Sequence, residues 1–164
     1  MEQNLSNWPT WMAWAGAAYA TFLIGISVYD VRRRRIPNTA IYPAVAIALV
    51  VSFLRPDGPW WSFVLAGISA AAFFVVLSSV SNGAMGGGDI KLAALIGLVA
   101  GWPGVLVAVF VAFAVGAAAG LVLMALGRLG RREPLPFAPA LAVGAATAAV
   151  AGPQVVRLLW PGIA

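Results

Sequence analysis

The chain alternates long apolar stretches with short polar ones. Uncharged runs cover Trp8 to Tyr29, Ile36 to Leu54, Gly58 to Gly88, Leu92 to Gly127 and Pro134 to Val156. Each approaches or exceeds the roughly 20 residues that a helix needs to cross a bilayer. The fourth run is too long for one span, and Gly101-Trp102-Pro103-Gly104 interrupts it with strong turn chemistry. The pattern therefore predicts an all-α, polytopic integral membrane protein with about six transmembrane helices. They fall near residues 9–29, 38–54, 60–80, 89–101, 104–127 and 137–158, and residues 1–164 are expected to form a single membrane-embedded domain.

Composition agrees with that pattern. Of 164 residues, 62% are hydrophobic and only 9% charged, where a soluble domain would carry about a quarter. The net charge of +5 takes its meaning from position. With the amino terminus outside, Arg32 to Arg35, Lys91, Arg128, Arg131 and Arg132 fall on the cytoplasmic side, eight of the ten bases. This is the positive-inside pattern of a multi-pass protein in a cell's inner membrane. It makes the lipid bilayer the expected partner and gives no support to nucleic acid. Glu2 and the absence of any base before Arg32 do not match a cleavable signal peptide, so the first span is expected to stay in place.

The chain has no Cys and no His. That removes disulfides, Cys/His zinc sites, the Ser-His-Asp triad and the HExxH helix. No metal and no cofactor is expected.

Five residues are acidic. Glu2, Asp57 and Glu133 lie in a tail or loops, where solvation accounts for them. Asp30 and Asp89 each abut a predicted membrane helix. The first helix ends at Asp30. The fourth starts from the same side, because helices two and three make a complete hairpin between them. Both aspartates therefore belong to the cytoplasmic leaflet. From Asp89 to Gly101 is 13 residues, or about 20 Å of helix against a hydrocarbon core of about 30 Å. A helix that reaches the outer interface would thus start below the inner one. The glycines before Asp89 would then be irregular backbone at membrane depth, which is tolerated when it is buried in protein or lines a wet cavity. Ser78, Ser79, Ser81 and Asn82 add polar atoms for such an inlet. Two plainer readings remain open at this point. Gly83 to Gly88 also fits a flexible loop with Asp89 as a helix N-cap, and Asp30 also fits a simple ion pair with Arg32 or Arg34.

Taken together, Asp30-Val31-Arg32, Ile36-Pro37-Asn38 and Gly86-Gly87-Gly88-Asp89-Ile90-Lys91-Leu92 resemble the two signature segments of the type IV prepilin peptidases, membrane aspartyl proteases with a GxGD motif. Pro136-Phe137-Ala138-Pro139-Ala140-Leu141-Ala142 resembles that family's PFGP-type start of the last helix. Ala138 stands there for the usual Gly, a change not expected to touch the chemistry. The resemblance covers roughly residues 9–158. It implies a six-helix peptidase core with Asp30 and Asp89 as the catalytic pair, supported by Arg32, Pro37, Asn38, Gly86, Gly88 and Lys91. It also implies a substrate, a prepilin or pilin-like precursor with a basic leader ahead of a hydrophobic helix. Bifunctional members carry an additional Cys-rich amino-terminal segment and methylate the new pilin terminus. With 29 residues before Asp30 and no Cys, this chain resembles the minimal, peptidase-only form, which leaves methyl transfer doubtful.

The chemistry also stands by elimination. Without His, the usual ways to hydrolyse a peptide in a membrane reduce to paired aspartates. One takes a proton from water while the other donates to the carbonyl oxygen. Among the supporting residues, Lys91 either snorkels to the surface or tunes the pair, and Arg32 holds Asp30 or a substrate carboxylate. Pro37 starts helix two, and Asn38 satisfies backbone there. Gly86 and Gly88 are expected to let backbone approach Asp89 closely, with Gly87 the tolerant position. The tryptophans read as an aromatic belt, and Gly116 to Gly120 as a close-packing face. The rival functions are an ion- or proton-coupled transporter using Asp30 and Asp89 as relays, a noncatalytic scaffold, and a Ser-Lys hydrolase built on Lys91 with Ser79 or Ser81.

Overall fold

A computed structural model describes residues 10–80, 85–127 and 136–159. The described residues form six helices and no strand. These are α1 (Thr10–Arg33), α2 (Asn38–Leu54), α3 (Trp60–Val80), α4 (Gly87–Ala100), α5 (Gly104–Ala125) and α6 (Ala138–Leu159). By length and composition α1, α3 and α5 can each cross a membrane, and α2 is a shorter apolar helix. Trp8, Ser81, Asn82, Trp160 and the loop from Arg128 to Glu133 lie outside the described residues.

Two helix boundaries depart from the sequence pattern for identifiable reasons. The first helix runs past Asp30 to Arg33, with Arg32 and Arg33 in its last turn, where cations suit the negative end of a helix. It stops at Arg34, whose φ of 51° is left-handed and whose N–H returns 2.7 Å to the Asp30 carbonyl. The fourth helix begins at Gly87 rather than Asp89, with the extended Gly86 as its N-cap. Asp89 is thus inside the first turn and is not the N-cap.

The central post is α4. Its Leu92, Ala93, Leu95, Ile96, Gly97 and Leu98 are all buried, and it packs against α2, α3, α5 and α6. Its 14 residues give only about 21 Å of length. Close approach depends on glycines that the sequence pattern did not single out. A Cβ on Gly97 would lie 2.5 Å from the Ala66 carbonyl oxygen of α3, and one on Gly144 would lie 2.1 Å from that of Ala108 in α5. The expected small-residue face is a correction in part. Gly116 is buried against the ring of Phe137, but Ala117, Ala118 and Ala119 are exposed.

Polar contacts define two ends of the bundle. At one end Arg55, just after α2, donates to the Val99 carbonyl near the end of α4. It lies 4.1 Å from the centroid of the Phe63 ring in α3 and pairs with Asp57. Trp60, Trp61 and Trp102 are exposed at this same end, in the manner of an interfacial belt. At the other end gather the close of α1 and the starts of α2, α4 and α6, where both candidate aspartates lie.

Two expectations follow. Gly97→Ala should destabilise the protein by about 1–3 kcal/mol, since the new methyl meets backbone that cannot give way. Gly25→Ala in α1, where nothing lies within 4 Å of the new atom, should be neutral or stabilising by about 0.4–1 kcal/mol. Thermal unfolding in detergent distinguishes the two. The second concerns Asp57. Partial burial pushes its carboxyl up, but the hydrogen bonds and charge of Arg55 outweigh this and hold it below its ordinary value. A lowered value stabilises the folded state above the unfolded value of about 3.9. That contribution disappears as pH falls through the folded value. Asp57→Asn should therefore lower the melting temperature slightly at neutral pH, and the difference should shrink as the carboxylate is protonated in acid and vanish once pH is below the folded value.

Candidate active site

Asp30 is the last residue of the buried stripe of α1, after Leu23 and Ile26. Only 6% of it is exposed. A carboxylate buried among apolar side chains needs hydrogen bonds, and this one receives the backbone N–H of Ala138 on Oδ2, at 3.2 Å. Ala138 opens α6, so its N–H is one of the amides that a helix start leaves without an internal partner.

Asp89 stands third in α4, after Gly87 and Gly88. Its own N–H donates 3.0 Å to the Gly86 carbonyl, and its side chain folds back to the backbone of Gly86. This is the carboxylate half of a capping box, formed here around a glycine. Anionic groups are also favoured in the first turn of a helix.

The two carboxylates meet in one cavity of about 210 Å³, lined by Asp30, Arg34, Arg35, Ile36, Gly86, Gly87, Gly88 and Asp89. The surroundings differ from the simple ion-pair reading. Among the described residues the ion pair is Arg55 with Asp57, at the opposite end. Arg34 and Arg35 line the cavity. Arg32 instead borders a shallow apolar groove with Ser27, Val28, Val31 and Pro139.

The remaining motif residues tie α2 to α4. Pro37 is the N-cap of α2, in extended conformation, and its carbonyl accepts the N–H groups of Ala40 and Ile41. Asn38 makes no cap; its Oδ1 accepts the Lys91 ammonium at 2.7 Å. Lys91 also lies 4.7 Å from the centre of the Tyr42 ring, one turn along α2. Lys91 is therefore held by α2. Ser78 donates to the Met85 carbonyl and Ser79 to that of Val75.

The glycines have separate roles, and none of the three needs a positive φ. A Cβ on Gly88 would lie 2.7 Å from Ile36 Cβ and 3.1 Å from its Cγ1. Gly88 is bare so that the first signature segment can rest against the second. A Cβ on Gly86 would sit 3.4 Å from Asp89 Oδ2, an ordinary contact, and one on Gly87 would meet nothing within 4 Å. Sequence reasoning placed Ile36 in a signature segment but gave it no role; its signal was a lone apolar residue after four arginines. It also missed the Ala138 amide, and no side chain announces a backbone donor.

A helical membrane bundle with two aspartates from separate helices on one cavity belongs to the class of proteins built around an intramembrane carboxylate pair. The model of the Type IV leader peptidase family matches residues 17–121, and the chain belongs to that family. It is 33% identical over 138 residues to the "Prepilin leader peptidase/N-methyltransferase" of Bacillus subtilis, covering 84% of this chain and 56% of that protein. The protein of the same name from Burkholderia pseudomallei is 31% identical over 157 residues, covering 88% and 50%. That of Pseudomonas aeruginosa is 27% identical over 153 residues, covering 90% and 53%. The chain thus spans about half the length of these relatives. No solved structure matches it.

The contact between Gly88 and Ile36 gives a specific expectation. Gly88→Val should cost most of the activity, because the two aspartate-bearing segments can no longer close on each other. Gly87→Ala should cost little. Gly86→Ala, with neither a positive φ nor a clash against it, should fall between. Cleavage rates of the three variants, at matched membrane levels, check the order.

Proposed function

We propose that this chain is an intramembrane aspartic endopeptidase that removes the leader from type IV prepilins or pilin-like precursors at the cytoplasmic face of the inner membrane. The observation that carries the reading is the convergence of Asp30 and Asp89, from α1 and α4, on one cavity. The family and the names of the relatives point the same way.

The pair can work as follows. Two carboxylates at one cavity share a proton more readily than both carry charge. The ionised one takes a proton from water as the water oxygen bonds to the scissile carbonyl carbon. The protonated one gives its proton to the carbonyl oxygen. The tetrahedral intermediate then collapses, the C–N bond breaks, and the leaving amine takes up a proton from the pair. Arg34 and Arg35 line the same cavity, and positive charge bordering a site favours a developing oxyanion. The reading takes up the peptidase half of the relatives' name, since paired carboxylates supply hydrolysis and do not transfer methyl groups.

Orientation rests on charge. The end of the bundle that holds the pair also holds Arg32 to Arg35 and Lys91, and this cluster of positive charge supports a cytoplasmic placement. A basic leader joined to an apolar helix would present its junction there. The transporter alternative would need polar groups through both halves of the bundle. Its support is weak, because the other end carries Arg55 and Asp57 committed to each other.

Asp30→Asn and Asp89→Asn should each abolish prepilin cleavage, by at least about a thousandfold, because the two carboxylates act as a unit. Both variants should insert and melt close to the wild type. Cleavage of a purified prepilin in reconstituted membranes is the measurement. Near-normal turnover in either variant would remove the reading.

A further inference from the structure

Beyond the aspartates themselves, the head of α6 stands out as a part of the site without an assigned role. We propose that the first turn of α6 is a positioning element for the Asp30 carboxylate, held in place by Phe137 seated against Gly116. The inference rests on the reading of Asp30 as one half of the catalytic pair.

Asp30 sits at the carboxyl end of α1, where the exposed carbonyls of a helix make an unfavourable setting for an anion. Something must offset that, and the N–H of Ala138 does so at 3.2 Å, with the amino-terminal end of α6 behind it. Ala138 is fully buried. Water therefore has no ready access to take over the amide's role. A hydrogen bond from a helix amide also fixes direction: with Oδ2 held, the other carboxylate oxygen is left to face the reacting groups.

The amide is in turn fixed by its neighbour. The Phe137 ring lies against Gly116 of α5, where a Cβ would come within 2.6 Å of the ring edge. The ring also packs with Phe113 at 5.3 Å and Phe74 at 6.2 Å between centroids. On the other side Pro139 restricts the backbone of the first turn. A route of direct contacts runs from Gly116 through Phe137 and the Ala138 amide to Asp30. It involves α5 and α6, neither of which carries a motif aspartate. The side chain of Ala138 plays no part in it, so a Gly at the same position would supply the same amide.

The test uses the whole protein, with kcat, KM and melting temperature measured for prepilin cleavage in detergent. Ala138→Pro removes the N–H at a helix position where proline is well tolerated. It should lower kcat about a hundredfold, the scale of loss for a misplaced reacting group, while KM stays near the wild type and the melting temperature falls because the proline ring enters a fully buried position. Ala138→Gly keeps the amide and should retain most of the turnover. Gly116→Ala keeps the amide but displaces Phe137, and should lower kcat by about tenfold on the same scale. Normal kcat in Ala138→Pro would overturn the proposal, as would a loss confined to KM or to stability. If Ala138→Pro does not insert, Gly116→Ala decides, and normal kcat there overturns it. Asp30→Asn is measured alongside. If that variant is active, the catalytic reading itself fails; if it is dead while Ala138→Pro is normal, only the positioning role does.

Discussion

A carboxylate buried among apolar helices has to be given polar partners, and the arrangement of this protein at one end follows from that requirement. Burial of an unpaired ionisable group costs several kcal/mol or forces it neutral. Asp30, almost wholly buried, is met by the head of α6. Asp89 is met by the backbone of Gly86, one residue before its own helix. Each carboxylate thus occupies the one place in a helical bundle that offers free backbone donors, a helix start. The glycines before α4 and the prolines flanking Ala138 are both consequences. One lets the chain lie close to its neighbour, and the other opens a helix at a defined point.

The opposite end is organised differently. There Arg55 joins the end of α2, the ring of Phe63 in α3 and the Val99 carbonyl near the end of α4. Gly101 turns the chain with a φ of 65°, so close to Phe63 that a Cβ would lie 2.7 Å from its ring. Between the two ends, Gly97 rests on the backbone of Ala66 and Gly67, which sets the register of α4 against α3. Without a hydrophobic drive between helices in lipid, such close backbone contact and a few polar ties carry the packing.

Much of this was legible in the chain. The six helices follow from hydropathy, and the shared end of Asp30 and Asp89 follows from counting crossings. The convergence of the two segments was carried by the resemblance, and the cavity agrees with it. What escaped has a common physical cause. Backbone donors have no letter in a sequence, so the Ala138 amide was invisible. Asn38 was assigned to its own helix start, as its type suggests, whereas it accepts from Lys91, 53 residues away. Within a run of four arginines no pattern separates the pair lining the cavity from Arg32, which does not. Gly116 to Gly120 has the composition of a packing face, but a neighbour must be present to make it one. Gly97 and Gly144, single glycines in apolar helices, are where neighbours arrived.

The two halves of the pair are held unequally. Asp89 rides on a helix fixed on several sides: by Lys91 to Asn38 and Tyr42 at its start, by Gly97 to α3 along its length, and by Arg55 at its end. Asp30 rides on α1, which among the helices packs against α6 alone and leaves Ile24, Val28 and Val31 exposed. The link between α1 and the rest of the site end is therefore narrow. Beside the packing of α1 on α6, the ties at this end include the carboxylate–amide bond to α6 and, just beyond the helix, Ile36 lying over Gly88. Both lie within a few residues of Asp30, at the point where its placement matters. A helix with one packed neighbour can keep a reacting group in register when its few ties are next to that group.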